Sequence, residues 1–284
     1  MDAQRILNWL LPIIGGLAAV AALAGLWPAS GTPYPLTTFR GEQVIINARG
    51  LYYWDTVSSA AQMQANDLVT LVMGVPLLVI SHWLSRRGSL RGRLLLAGTL
   101  GFILYTYVTM CVGAQYNQLF LIYTALFSLS LFALVLVITS FDLSTLPNYF
   151  SSNLPHGQIA GLLFCTAAFL TIAWLGRIAA TFAPNAVPML ENTTSMFIQA
   201  LDLAIIAPLC VIGGSLLLRR HAVGYLLASI WLGKFLTLGT AVSLMGWNMA
   251  RMGVAVSAAE LFIFPILALA GMGLTATLLK HVKE

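Results

Sequence analysis

Apolar residues run along this chain in long, nearly unbroken stretches, and polar residues gather between them. Eight stretches, at roughly 6–27, 67–84, 94–113, 119–140, 158–183, 195–218, 222–246 and 257–280, approach or exceed the ~20 residues an α-helix needs to cross a bilayer. Glycine and proline inside them are tolerated in membrane helices. The pattern predicts an all-α integral membrane protein, a polytopic bundle of eight transmembrane helices.

Two polar segments interrupt the series. The longer, 28–66, is an outer loop. Its TTFRGEQVIINARG alternates enough for a short strand pair. Its WDTVSSAAQMQAND offers Asp55 as a cap for a helix that runs unbroken into the second span. The other segment, FDLSTLPNYFSSNLPHG at 141–157, is rich in turn formers. It is expected to link a first four-helix half, 1–140, to a second, 158–284. Residues 1–25 also have the outline of a secretory signal, with Arg5 ahead of a short apolar run and small residues after it. The apolar run continues through Trp27, which favours a retained helix.

Only 8% of the 284 residues are charged and 59% are hydrophobic, against about 25% charged in soluble domains. Lipid is therefore the solvent for most of the surface, and the bilayer is the first expected partner. The formal charge of +5 is a topology signal. Arg86, Arg87, Arg91, Arg93, Arg219, Arg220, Lys280, Lys283 and Arg5 all fall on one side of an eight-span chain. The positive-inside rule makes that side cytoplasmic. The expected location is a plasma (inner) membrane with both termini in the cytoplasm. No basic stripe with interleaved aromatics points to nucleic acid.

A polar signature recurs in the apolar background. QANDL at 64–68 returns as QALDL at 199–203, each time followed by a proline and an Arg-Arg pair. The next spans match at an offset of 132, GRLLLAGTLGFIL at 92–104 on GYLLASIWLGKFL at 224–236. Common leucines do not explain a matched Asp, Pro and Arg pair in one order. A parallel 4+4 internal repeat is expected, with any site near the interface of the halves.

The repeated residues supply the candidate site. At 1.5 Å per residue, Asp67 and Asp202 stand about 25 Å above the arginines that close their spans, near the outer edge of the hydrocarbon. Gln64 and Gln199 lie one turn further out on the same faces. Lys234, Arg177 and Glu260 are the other ionisable groups of the outer half, and charges inside a membrane usually face the bundle interior in pairs. Asp202 is expected to pair with Lys234 or Arg177, either as structural glue or as the lining of a polar pocket. Tyr105 belongs to an aromatic group with Tyr107, Tyr116 and Tyr123 near Asn117. The simplest reading of that group is an interfacial belt.

Catalytic signatures are missing from the sequence. There is no HExxH or paired Cys/His spacing, no GxSxG, and no phosphate-binding glycine pattern. Cys111, Cys165 and Cys210 lie inside apolar stretches as small packing residues. Lys234 as a retinal-type lysine has no second feature in its support. No metal or cofactor is expected. The first expectation is a transporter-like or permease-like protein that binds a small polar or lipid-derived solute from the outer side. The repeated aspartates would hold a cation or proton, and Lys234 and Arg177 an anionic group. The alternative is a non-catalytic membrane subunit or assembly factor docking a protein partner through loop 28–66. An intramembrane lipid-modifying enzyme is the third reading.

Overall fold

The computed structural model describes residues 3–284. Among the described residues eight helical rods are long and apolar enough to cross a membrane. Six are single helices: α1 (Ala3–Leu26), α4 (Leu90–Gly113), α5 (Phe120–Thr139), α6 (His156–Ala180), α9 (Ala222–Arg251) and α10 (Ala258–Lys280). The second rod is α2 (Val57–Val69), a π turn (Thr70–Gly74) and α3 (Val75–Arg86). The sixth is α7 (Phe197–Leu201), a π turn (Asp202–Ile206) and α8 (Ala207–Leu218). The expected eight-span bundle is the observed architecture.

The two interrupted rods share their construction. Their π turns open at Thr70 and Asp202, and a proline follows each turn at the second residue of the next helix, Pro76 and Pro208. A proline removes a backbone donor and crowds the preceding turn, and a π turn is one way to absorb that disturbance. Each rod then meets the next helix through a glycine. A Cβ on Gly92 would collide with Leu84 and the Ser85 backbone, and a Cβ on Gly224 with the Leu216 and Leu217 backbone.

Two rods are central. α4 packs on α3, α5 and α9, and α9 packs on α2, α4, α8 and α10. They cross where Gly98 meets Gly233: a Cβ on Gly98 would stand 2.5 Å from the Gly233 Cα. Small residues let membrane helices approach this closely. α1 lies against α2, α3 and α5, and α6 against α8. Leu96, Leu100, Phe102, Ile103 and Leu126 are among the fully buried side chains around α4.

One face of the bundle carries the described ends of the chain. There the 141–157 segment turns through a 3-10 element (Leu146–Tyr149) and bonds to the tail. Ser151 N–H donates to the His281 carbonyl at 2.8 Å, and Lys283 N–H to the Tyr149 carbonyl at 2.7 Å. The Glu284 carboxylate accepts from Ser89 Oγ and from Arg91 N–H.

The opposite face carries a two-stranded antiparallel hairpin, β1 (Tyr34–Thr37) and β2 (Gln43–Ile46). Helix α2 starts ten residues before the apolar run, as its continuity with the loop predicts. Its cap is Thr56, whose Oγ1 accepts from Ser59 N–H. Asp55 does not cap it: its Oδ1 accepts from Gln115 N–H at 3.0 Å instead. The long loop lies on the segment that precedes α7. Glu42 accepts from Leu190 N–H at 2.9 Å and Glu191 N–H at 3.2 Å. Thr56 donates to Glu191 at 2.6 Å, and Gln115 to the Asn192 carbonyl at 2.7 Å. Glu42 and Thr56 of the loop are thus engaged by the chain itself.

Candidate functional site

The crossing of α4 and α9 brings Tyr105, seven residues beyond Gly98 on α4, over Lys234, the neighbour of Gly233 on α9. The Lys234 ammonium sits 3.9 Å from the centroid of the Tyr105 ring and 5.1 Å from that of Trp231. Trp231 precedes Lys234 by three residues, so the two share a helix face. Lys234 is 5% exposed.

Asp202 opens the π turn beside this pair. Its Oδ1 accepts from Tyr105 Oη at 2.8 Å, and its Oδ2 from Trp174 Nε1, on α6, at 2.9 Å. Both carboxylate oxygens are therefore met by neutral donors. Tyr105 stands between the opposite charges, giving its hydroxyl to the aspartate and its ring face to the lysine. The expected direct pairs do not form. Among the described residues neither Lys234 nor Arg177 has a carboxylate oxygen within 4.0 Å. Arg177 donates instead to the Met189 carbonyl at 2.6 Å. Its span ends there, and the guanidinium finds a backbone acceptor closer than any side-chain anion.

A cleft of about 180 Å³ reaches this centre. Leu104 and Val108 of α4, Leu134 of α5, Leu209 of α8 and Ile230 of α9 line it, together with Tyr105, Trp231 and Lys234. Trp231 Nε1 is buried with no acceptor. An ammonium over two aromatic faces gains on the order of 2 kcal/mol when desolvated, far less than a buried ion pair at short range. The ammonium and the indole N–H thus lie just behind an apolar cleft wall, with no carboxylate oxygen within 4.0 Å of the ammonium among the described residues.

Searches of family models, curated proteins and solved structures found no match to the chain.

Asp67 lies in a separate centre. Tyr52, from the long loop, donates to its Oδ2 at 2.6 Å. The carboxylate fills the space left by the absent side chain of Gly25 on α1. Tyr107 and Tyr123 stack nearby with ring centroids 6.0 Å apart. Both are buried, and only Tyr116, 81% exposed, fits the expected interfacial belt. The two aspartates do not share a cavity: Asp67 faces tyrosines against α1, and Asp202 faces Tyr105 and Trp174.

The remaining candidates are dispersed. Gln199 is buried one turn before Asp202. Gln64 lines a different, larger groove. Glu260 is exposed and completes a capping box with Ser257 at the start of α10. The structure brings Asp202, Lys234 and Tyr105 together and leaves Asp67, Gln64, Arg177 and Glu260 outside that group. Trp174 and Trp231 are the members that sequence reasoning missed. The i, i+3 spacing of Trp231 and Lys234 was a usable signal for one, and only the tertiary fold reveals the other.

Proposed function

We propose that this multi-pass membrane protein is transporter-like, taking a lipid-derived amphiphile with an anionic head into the Lys234 cleft. One observation carries the reading: the buried ammonium has aromatic faces for company, no anionic partner, and an apolar cleft in front of it. A carboxylate or phosphate head would meet the ammonium and the Trp231 indole, and its chain would lie along the leucines. Buried charges in membranes are otherwise paired, so a ligand that completes the pair is favoured. Asp202, held by Tyr105 and Trp174, stands one ring away from the ammonium.

We also take the chain to be an internal duplication, which suits a transport role. The π turns, the following prolines, the Gly92 and Gly224 contacts and the helix caps at Ser89 and His221 all recur at the 132-residue offset. That register places Thr70 on Asp202 and Asp67 on Gln199, so the two short motifs are shifted by three residues against the helices that carry them. Four spans per unit give a parallel repeat, with the cleft at the α4–α9 junction. The arginine-rich face is taken as cytoplasmic by the positive-inside rule.

The test is thermal unfolding of detergent-purified protein with added oleate, a carboxylate-headed amphiphile. Oleate is expected to raise the midpoint of the wild type in proportion to occupancy and to leave Lys234→Met unmoved. Lys234→Met is expected to fold, because it exchanges a buried charge for an apolar chain of similar length. Equal stabilisation of both proteins, or of neither, refutes the reading.

A further inference from the structure

A second recess, larger than the Lys234 cleft, lies elsewhere, on the hairpin face. It is a groove of about 800 Å³ between the end of α1, the long loop, α2 and the end of α9. Its volume is within the range of small-molecule sites. Its lower wall is apolar, with Leu68 and Leu244. Its upper wall holds Arg49 and Arg251, flanked by Trp27 and Trp247.

The depth of these residues sets what can bind. α9 has 30 residues and is about 45 Å long, so its last turn rises beyond a hydrocarbon layer roughly 30 Å thick. Arg251 ends α9 and lies about 10 Å above Leu244. The groove thus runs from the edge of the hydrocarbon into the headgroup layer, apolar below and basic above. Leu68, Trp27 and Trp247 are 43%, 74% and 53% exposed, so its mouth opens sideways to lipid.

The basic groups are available. Arg49 spends one donor, Nε, on the Gly31 carbonyl at 2.9 Å, and neither arginine has a carboxylate partner among the described residues. The back of the groove adds an acceptor. Asn47 is fully buried and gives its amide hydrogens to the Arg49 and Tyr52 carbonyls, but its Oδ1 has no partner. Buried acceptors are rarely left unmet. A ligand here needs an anion for the arginines, a hydrogen-bond donor for Asn47 and an apolar tail.

We infer that this groove is a binding site for a phospholipid headgroup that carries a phosphate and an adjacent hydroxyl donor. The inference stands on different residues from the Lys234 cleft and holds or fails without it. Basic side chains at a membrane surface favour anionic lipid, and the tryptophans suit the interface.

Native mass spectrometry of the full-length protein tests it, with dioleoylphosphatidylglycerol, dioleoylphosphatidylcholine and sn-glycerol 1-phosphate as probes. Phosphatidylglycerol is expected to bind in 1:1 ratio and more tightly than phosphatidylcholine, whose head offers no donor. Arg251→Gln, an exposed position with no contact to lose, is expected to weaken phosphatidylglycerol roughly tenfold, the scale of one charge-assisted hydrogen bond. Arg5→Gln, on the far face, is expected to change nothing. Equal binding of the two lipids, or an Arg251→Gln protein that binds like the wild type, overturns the inference. Displacement of the lipid by sn-glycerol 1-phosphate at equal concentration overturns the lipid assignment and identifies a soluble phosphate compound as the occupant.

Discussion

Replacing Gly98 by alanine puts one methyl group between the two central helices. That carbon would stand 2.5 Å from the Gly233 Cα, 2.8 Å from its carbonyl carbon and 3.0 Å from the Lys234 nitrogen. Carbon pairs pack best at about 3.5–4.0 Å, so the helices must part by about 1 Å at their crossing. The obstructing atoms are backbone, and no rotamer change relieves them. Overpacking of this kind costs about 1–3 kcal/mol. Gly101→Ala, on the same helix, is the internal control. Its new carbon would meet Ile230 Cγ2 at 3.7 Å and Lys234 Cβ at 3.9 Å, which is ordinary contact, and alanine gains up to about 1 kcal/mol of helix propensity over glycine. The two substitutions are expected to move stability in opposite directions. Unfolding in mixed micelles with increasing SDS, followed by circular dichroism, measures both. Equal shifts, or a Gly98→Ala protein as stable as the wild type, would show that the crossing is not held at backbone contact.

Three further outcomes follow from particular contacts. Asp55 lies outside the spans with Oδ2 buried and unpartnered, and burial pushes its carboxyl up to about 7 against the opposing pull of the Gln115 N–H. A folded pKa raised from 3.8 gives stability that is full below about pH 4, is lost as pH rises to about 7, and is level above; the loss is on the order of 4 kcal/mol. Asp55→Asn is expected to flatten the unfolding profile across that window, and an unchanged slope counts against the assignment. Tyr105→Phe keeps the ring over Lys234 but strips Asp202 of one donor, an expected cost of about 1–3 kcal/mol; no loss in the SDS titration would mean that the Tyr105–Asp202 bond adds nothing. Gly25→Ala drives a carbon into the Asp67 carboxylate and toward Tyr52 Oη, so its cost is expected to shrink in an Asp67→Ala background, and strict additivity in the double-mutant cycle would place the strain elsewhere.

The spans were legible because lipid demands long apolar runs whatever the tertiary contacts. Their ends were less so. α2 begins at Val57, since QMQAN continues a helix above the membrane, where hydropathy carries no signal. The cap fell to Thr56 because Asp55 turns toward Gln115 in another connection. That Asp202 and Lys234 turn into the bundle was legible, since charges within apolar runs face the interior, and both are buried. Their separation by Tyr105 did not follow, because it depends on where two distant helices cross. Tyrosines 107 and 123 read as a belt from sequence, yet they face inward beside Asp67. A one-dimensional pattern gives their height in the membrane and not their azimuth. Nor does it show that Glu42 reaches Leu190 across 148 positions.

The π turns have a consequence for timing. In an α-helix each residue advances the side chains by about 100°, and a π turn inserts one residue's worth of that advance into a fixed length. The segments on either side of Thr70–Gly74 and of Asp202–Ile206 are therefore set out of phase, like two parts of a key cut at different angles. Deleting Ala204 would restore one continuous helix. Either Asp202 would then swing about a quarter turn away from Tyr105 and Trp174, or the Pro208–Arg219 end would lose its seating against α9. In the sixth span a single residue sets the clock between the end that holds Asp202 and the end that packs on α9.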